Sequence, residues 1–189
     1  MKKGFLHWII PALILIAITL ACKISAGGPE PPEQNSIFST DAPGTLKTAV
    51  DQTVEQSKSA ERVALTITQD QATSYIALEL AKDPDSLIKD PKVFFLNDQV
   101  EIFGLLNQGV FSANIRLVLM GEINSDGNLN IRIKSIDLGP LPVSESITGT
   151  VSTLVDQTIN GPLTQFATGY KIDSLIISNG LMTVTGLRR

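Results

Sequence analysis

Three short polar turns, each set between runs that alternate apolar and polar residues, constrain this chain more than any other feature. They are Asn97-Asp98 in "VFFLNDQVEIF", Ser125-Asp126-Gly127 in "LMGEINSDGNLNIRI" and Asn179-Gly180 in "SLIISNGLMTV". Asn, Asp and Gly tolerate the left-handed backbone of tight hairpins, and period-two flanks send alternate side chains to opposite faces of a sheet. Each turn therefore predicts an antiparallel hairpin, and its length decides which residues share a face.

In the middle hairpin a three-residue loop pairs residues of equal parity. Ile115, Leu117 and Leu119 then share a face with Leu129, Ile131 and Ile133, while Arg116, Glu122, Arg132 and Lys134 take the other face with Val118 and Met120. A two-residue Asp126-Gly127 turn mixes these sets, so the hydrophobic pattern selects the longer loop. In the last hairpin Ser178 pairs with Leu181, which puts Leu175 and Ile177 on one face with Met182 and Val184. The other face carries Ile172 and Ile176 opposite Leu187 and Thr183, with Ser174 facing Thr185.

Helical signals flank these hairpins. "RVALTIT" alternates as a strand, and "TQDQATSYIALELAKDP" follows with a Thr68/Gln71 capping box, Ala72, Tyr75, Ile76 and Leu80 on one face, and Pro84 as its stop. Pro140 and Pro142 break the sheet, Ser144 caps a second helix, and Ile147, Val151, Leu154, Val155 and Thr158 form its apolar stripe. Gly161-Pro162 stops or kinks that helix, leaving Leu163 and Phe166 to continue the packing. Residues 45–60 place Leu46, Ala49, Val50, Thr53 and Val54 on a further stripe. The expected fold is α+β: a curved antiparallel sheet of hairpins packed with amphipathic helices, in one domain over residues 45–189.

Ahead of this body stands "MKKGFLHWIIPALILIAITLAC", with basic Lys2 and Lys3, an apolar run from Phe5 to Ala21, and the sole cysteine, Cys22. That is the layout of an export signal. "TLAC" has the form of a loose lipobox, in which the Cys22 thiol is lipidated and becomes the mature N-terminus. The other reading of residues 1–22 is an uncleaved signal anchor, the run being near the lower limit for a bilayer core of about 30 Å. Both place the body on the extracytoplasmic face of the cell membrane and tether it there. Residues 23–44, rich in Pro, Gly, Ser and acids, read as an extended spacer.

Charge and composition narrow the function. Losing residues 1–21 removes Lys2 and Lys3 from the 15 basic residues and none of the 19 acids, which moves the net charge from −4 to −6. With only 5% aromatic residues as well, nucleic acid is not an expected partner. After Cys22 there is no His and no further Cys, which removes His-dependent nucleophile activation, thiol catalysis and zinc sites built from those residues. Ser57, Lys58 and Ser59 sit on a polar helix face and read as solvated side chains. Asp83, Asp85 and Asp90 lack the register of a calcium loop and read as turn chemistry. No Gly-rich phosphate loop is present. No enzyme, metal or cofactor is expected.

The succession "ALTITQDQATSYIALEL", "DPKVFFLNDQVEIFG", "SIDLGPLPVSESI" and "YKIDSLIISNGLMTVTG" resembles the LmeA-like phospholipid-binding family and the related YpmS-like membrane-anchored proteins, over residues 63–187. The resemblance implies a fold similar to tubular lipid-binding proteins, in which a curved antiparallel sheet and a helix enclose acyl chains. It carries no catalytic signature.

The expected function is thus a membrane-tethered module that binds or handles a membrane lipid or phospholipid. Leu117, Leu119, Ile131 and Ile133, with Ile147, Val151, Leu154 and Val155, are the candidate acyl-chain lining, and Arg132 and Lys134 the candidate head-group contacts. Apolar burial is worth about 25 cal/mol per Å², so even one acyl chain contributes several kcal/mol. The alternative is an envelope scaffold or adaptor with a fully packed core that recruits another envelope protein through a sheet edge or the 45–60 helix.

Overall fold

The computed structural model describes residues 24–25, 27–33, 61–109, 111–160 and 169–189. The signal-like segment with Cys22, the helix expected over 45–60 with Ser57, Lys58 and Ser59, and Gly161, Pro162, Leu163 and Phe166 lie outside these residues. In chain order the elements are β1 (Ile24–Ser25), β2 (Arg62–Thr68), α1 (Gln69–Ala81), β3 (Ile88–Leu96), β4 (Gln99–Gln108), β5 (Phe111–Ile123), β6 (Leu129–Asp137), α2 (Glu145–Val155), β7 (Tyr170–Ser178) and β8 (Leu181–Arg188). A single π-helical turn, Asp156–Asn160, extends α2. The fold is α+β, with its antiparallel strands divided between two sheets.

All three turns form hairpins in the expected registers. Leu96 pairs with Gln99 across Asn97 (φ 49°) and Asp98 (φ 59°), and Ser178 pairs with Leu181 across Asn179 (φ 52°) and Gly180 (φ 76°). At the middle hairpin Ile123 pairs with Leu129 and the Asn124 N–H donates to the Asn128 carbonyl at 3.1 Å. The Asn124 Oδ1 accepts from the main-chain N–H of Asp126 and of Asn128, at 3.0 and 2.9 Å, which secures the loop. The equal-parity register puts Ile115, Leu117 and Leu119 in the core, buried with Leu129 and Ile131.

Three bulges depart from strict alternation, the first in β3, where the pairing with β4 shifts between Lys89 and Lys92. In β6 the pairing shifts between Val118 and Leu119, so that Leu119 faces Ile133 and Leu117 faces Ile136. In β7 it shifts between Ile172 and Ser174, with Asp173 bulged and Ile172 opposite Gly186. The expectation that Ile172 lies on the outer face with Ile176 is therefore corrected. Ile172 is 2% exposed in the core, whereas Ile176 is 54% exposed.

The larger sheet runs β3-β4-β5-β6, and β1 adds to the β5 edge beyond the end of β6. The smaller sheet runs β2-β8-β7. Their inner faces enclose one core. Val63, Leu65 and Ile67 of β2 and Met182 and Val184 of β8 join Val93, Phe95, Ile102 and Leu117 across it. The sheets pass close at Gly121, where a Cβ atom would overlap the Leu175 side chain. Main-chain bonds link the β7 and β8 side to the hairpins of the larger sheet: Gly180 N–H to the Phe95 carbonyl at 3.2 Å, Asp98 N–H to Ile177 at 3.1 Å, and Ile172 N–H to Gly127 at 2.8 Å.

Both helices begin as expected. The Thr68 hydroxyl accepts from Gln71 N–H while the Gln71 side chain accepts from Thr68 N–H, a complete capping box for α1. Buried Thr73, on α1, uses its hydroxyl to accept the Val93 N–H at 2.9 Å, covering part of the β3 edge. Ser144 caps α2, whose Ile147, Val151 and Val155 enter the core.

The spacer expectation needs revision at its start. Ile24 and Ser25 pair in parallel with Phe111 and Ser112, and the Gly27 carbonyl accepts the Asn114 N–H at 2.8 Å. A Cβ on Gly139 would lie 2.6 Å from the Gly28 Cα, so two glycines allow these backbones to pass in contact. Composition supplied few apolar side chains here, but main-chain pairing needs none.

Candidate functional site

A cavity of about 300 Å³ lies between α2 and the adjoining ends of β3 and β4. Leu87, Ile88 and Leu106 form one wall and Ile147, Val151 and Leu154 the other. Asp83, Asp85, Ser86, Thr150, Thr153 and Gln157 supply its polar boundary.

The strand-side wall is held by local bonds. After α1 the Asp83 carboxylate accepts the Asp85 N–H at 3.0 Å, and the Asp83 carbonyl accepts the Ser86 N–H at 3.1 Å. This is the expected turn chemistry. Lys89 Nζ donates to the Pro84 carbonyl at 3.1 Å, and Asn107 N–H donates to the Leu87 carbonyl at 2.8 Å, fixing the loop to β4.

On the helical wall, Thr150 and Thr153 donate their hydroxyl protons to the carbonyls of Ser146 and Gly149, both at 3.0 Å. Ser86 likewise donates to the Ile88 carbonyl at 3.3 Å. With those protons committed, these hydroxyls present acceptor lone pairs, as do the two carboxylates. Apart from the Gln157 amide, which can also donate, the polar boundary is therefore made of acceptors and favours a neutral or cationic donor over an anionic phosphate.

The residues proposed from sequence fall into three groups. Ile147, Val151 and Leu154 line the cavity. Leu117, Leu119, Ile131 and Val155 are buried in the core, and Ile133 is partly buried against it. Arg132 and Lys134 lie on the outer face of the larger sheet, where Arg132 pairs with Glu122 at 3.2 Å and Lys134 Nζ donates to Gln99 Oε1 at 3.3 Å. Neither base borders the cavity.

Sequence reasoning missed Leu87, Ile88 and Leu106 as lining. Ile88 and Leu106 are paired neighbours at strand ends, and the apolar pattern gives no sign that a helix leaves space over them.

The outer face of the larger sheet carries a separate cluster. Phe94 and Phe103 meet edge to face at 5.5 Å, and the Arg116 guanidinium stands 5.9 Å from the Phe103 ring centre. Glu101 holds Arg116 through two bonds, at 2.9 and 2.7 Å, and this hydrogen bonding raises the guanidinium pKa above its ordinary value.

No helix among the described residues is long and apolar enough to cross a membrane. No protein-family model and no curated protein matches the chain.

Proposed function

We propose that this protein is a membrane-tethered, extracytoplasmic, non-catalytic module that takes a lipid chain into the cavity beside α2. The observation that carries this reading is the 300 Å³ space walled by Leu87, Ile88, Leu106, Ile147, Val151 and Leu154. Its volume is at the lower end of the range for ligand pockets, roughly 300–1,000 Å³, and suits part of an acyl chain. The tubular enclosure implied by the resemblance would here be made by two sheets and α2. The acceptor-rich boundary points to a lipid with a neutral or cationic polar end.

The direct test is native mass spectrometry and organic extraction of residues 23–189, a span that keeps β1. Lipid released in stoichiometric amount supports the reading, and a lipid-free protein that also fails to take up lipid from vesicles sinks it.

The second reading is an envelope adaptor. It is favoured by the packing of Leu117, Leu119, Ile131 and Val155 into the core, and by the outer edge of β2, which no strand covers among the described residues. An exposed edge can accept a partner strand. A lipid-free body that captures an added strand at β2 would select it.

A further inference from the structure

We propose that the β1 end of the larger sheet is the membrane-facing surface of this protein, with Phe111 at the bilayer interface and the cavity beside it. The inference rests on the tethered reading above, and adds the orientation in which the tether holds the body.

The argument begins with chain length. The apolar run ends at Ala21, and only Cys22 and Lys23 separate it from Ile24. Three residue steps, from Ala21 to Ile24, span at most about 11 Å. Ile24 is paired to Phe111 in the β5 register, and the docking continues through Gly27, bonded to Asn114, and Gly28, in contact with Gly139. The anchor therefore enters the sheet directly, without an intervening free spacer. A lipidated Cys22 and an uncleaved apolar segment lead to the same geometry, because both end within these two residues.

The surface at this end suits a lipid boundary. Phe111 is 54% exposed although the next odd-numbered residues of its strand, Ala113, Ile115, Leu117 and Leu119, are buried. Leu141 and Val143, also exposed, follow within four residues of the Gly139 contact. An exposed aromatic ring with exposed aliphatic side chains at the same end of the body is a common interfacial anchor. The cavity is at the same end, since Leu106 in its wall pairs with Ala113, two residues from Phe111. A lipid could then pass from the bilayer into the cavity without crossing the length of the body.

At the opposite end, Leu181 follows the Asn179-Gly180 turn and is exposed. This turn bonds to Phe95, whose partner Val100 pairs with Leu119 on β5. Eight residues of strand separate Leu119 from Phe111, or roughly 26 Å at 3.3 Å per residue.

The test uses the full chain in phosphatidylcholine vesicles in which half of the acyl chains carry bromine. Trp8 is the only tryptophan, so Trp8→Phe clears the background for Phe111→Trp or Leu181→Trp. An interfacial ring lies about 5–10 Å into the lipid boundary, and the expected result is at least about twofold stronger quenching at 111 than at 181. Equal quenching at the two positions, or none at 111, overturns the proposal.

Gly28→Val supplies the second arm. A Cβ at Gly28 would lie 2.5 Å from the Asn114 carbonyl oxygen, so the substitution should release β1 while the two-sheet body stays folded by circular dichroism. Quenching at 111 should then fall to the level at 181. Undiminished quenching in that folded variant would show that β1 does not set the orientation. Lipid extraction from residues 23–189 reads the cavity independently, so loss of orientation and loss of lipid binding are separable outcomes.

Discussion

The side-chain amide of Asn160 pairs with the main chain of Ile131 in both directions. Its Oδ1 accepts the Ile131 N–H at 2.9 Å, and its Nδ2 donates to the Ile131 carbonyl at 3.0 Å and to Asp156 Oδ1 at 2.8 Å. The π turn after α2 thus places one amide where a further strand would pair with β6. Asn160→Ala leaves both Ile131 groups without this partner and should cost about 1–3 kcal/mol. Asn160→Asp should cost more, because a carboxylate cannot donate to the carbonyl and sits beside Asp156. Urea unfolding checks this through a lower midpoint at unchanged slope. Wild-type midpoints in both variants would show that the bridge adds no stability.

Leu119 and Leu154 were proposed for the same lipid-lining role, but their surroundings differ. Leu119 is fully buried between the sheets, whereas Leu154 borders the cavity. Leu119→Ala should cost about 2–5 kcal/mol through lost burial and an unfilled void. Leu154→Ala should cost less, because one side of that side chain already faces open space. Leu154→Trp should instead fill the cavity and reduce lipid recovered per folded molecule, with little loss of stability. Unchanged lipid recovery in a folded Leu154→Trp variant would exclude the cavity as the binding space.

The hairpin registers were legible because turn chemistry and face patterning agree at Asn97-Asp98, Ser125-Asp126-Gly127 and Asn179-Gly180. The bulges left a fainter signal. In "YKIDSLIIS" the core-facing positions step from Ile172 to Leu175 and Ile177, and in "LNIRIKSIDL" from Ile131 and Ile133 to Ile136 and Leu138. A spacing of three inside a period-two run is what one inserted residue produces. Applying strict alternation through Asp173 put Ile172 on the wrong face. The docking of β1 left no comparable mark, because it uses main-chain atoms and two close-passing glycines. The cavity was only half legible: the α2 stripe identified its helical wall, but spacing alone could not show where that helix stands clear of β3 and β4.

The outer face of the smaller sheet predicts a pH effect. The Asp173 carboxylate accepts from the Thr185 hydroxyl at 2.7 Å and pairs with Arg62. The Thr185 hydrogen bond first, and the Arg62 charge after it, hold the Asp173 pKa below its ordinary value of 3.8. A depressed carboxylate contributes stability that is present above the ordinary pKa and is lost as pH falls through the folded value. Carbon-detected NMR titration should therefore find an Asp173 midpoint below 3.8, and Thr185→Val should move it upward. A midpoint unaffected by Thr185→Val would assign the depression to Arg62 instead.

Glu101 and Arg116 allow a sharper test, because their exposure is unequal. The Glu101 side chain is 12% exposed and that of Arg116 is 36%, so removing the arginine leaves the more buried charge without its partner. Arg116→Met keeps an apolar stem over Phe103 but deletes both bonds to the carboxylate, and should cost about 1.5–3 kcal/mol. Arg116→Lys should restore part of the loss, since it returns the charge but not the two-pronged geometry. Glu101→Gln should cost less than Arg116→Met, because the exposed guanidinium can recover water. The decisive variant combines Glu101→Gln with Arg116→Met. If much of the Arg116→Met loss comes from a stranded carboxylate, the double variant should be more stable than Arg116→Met alone. Strict additivity of the single costs in urea unfolding would show instead that the two side chains stabilise the outer face independently, Arg116 through its packing on Phe103.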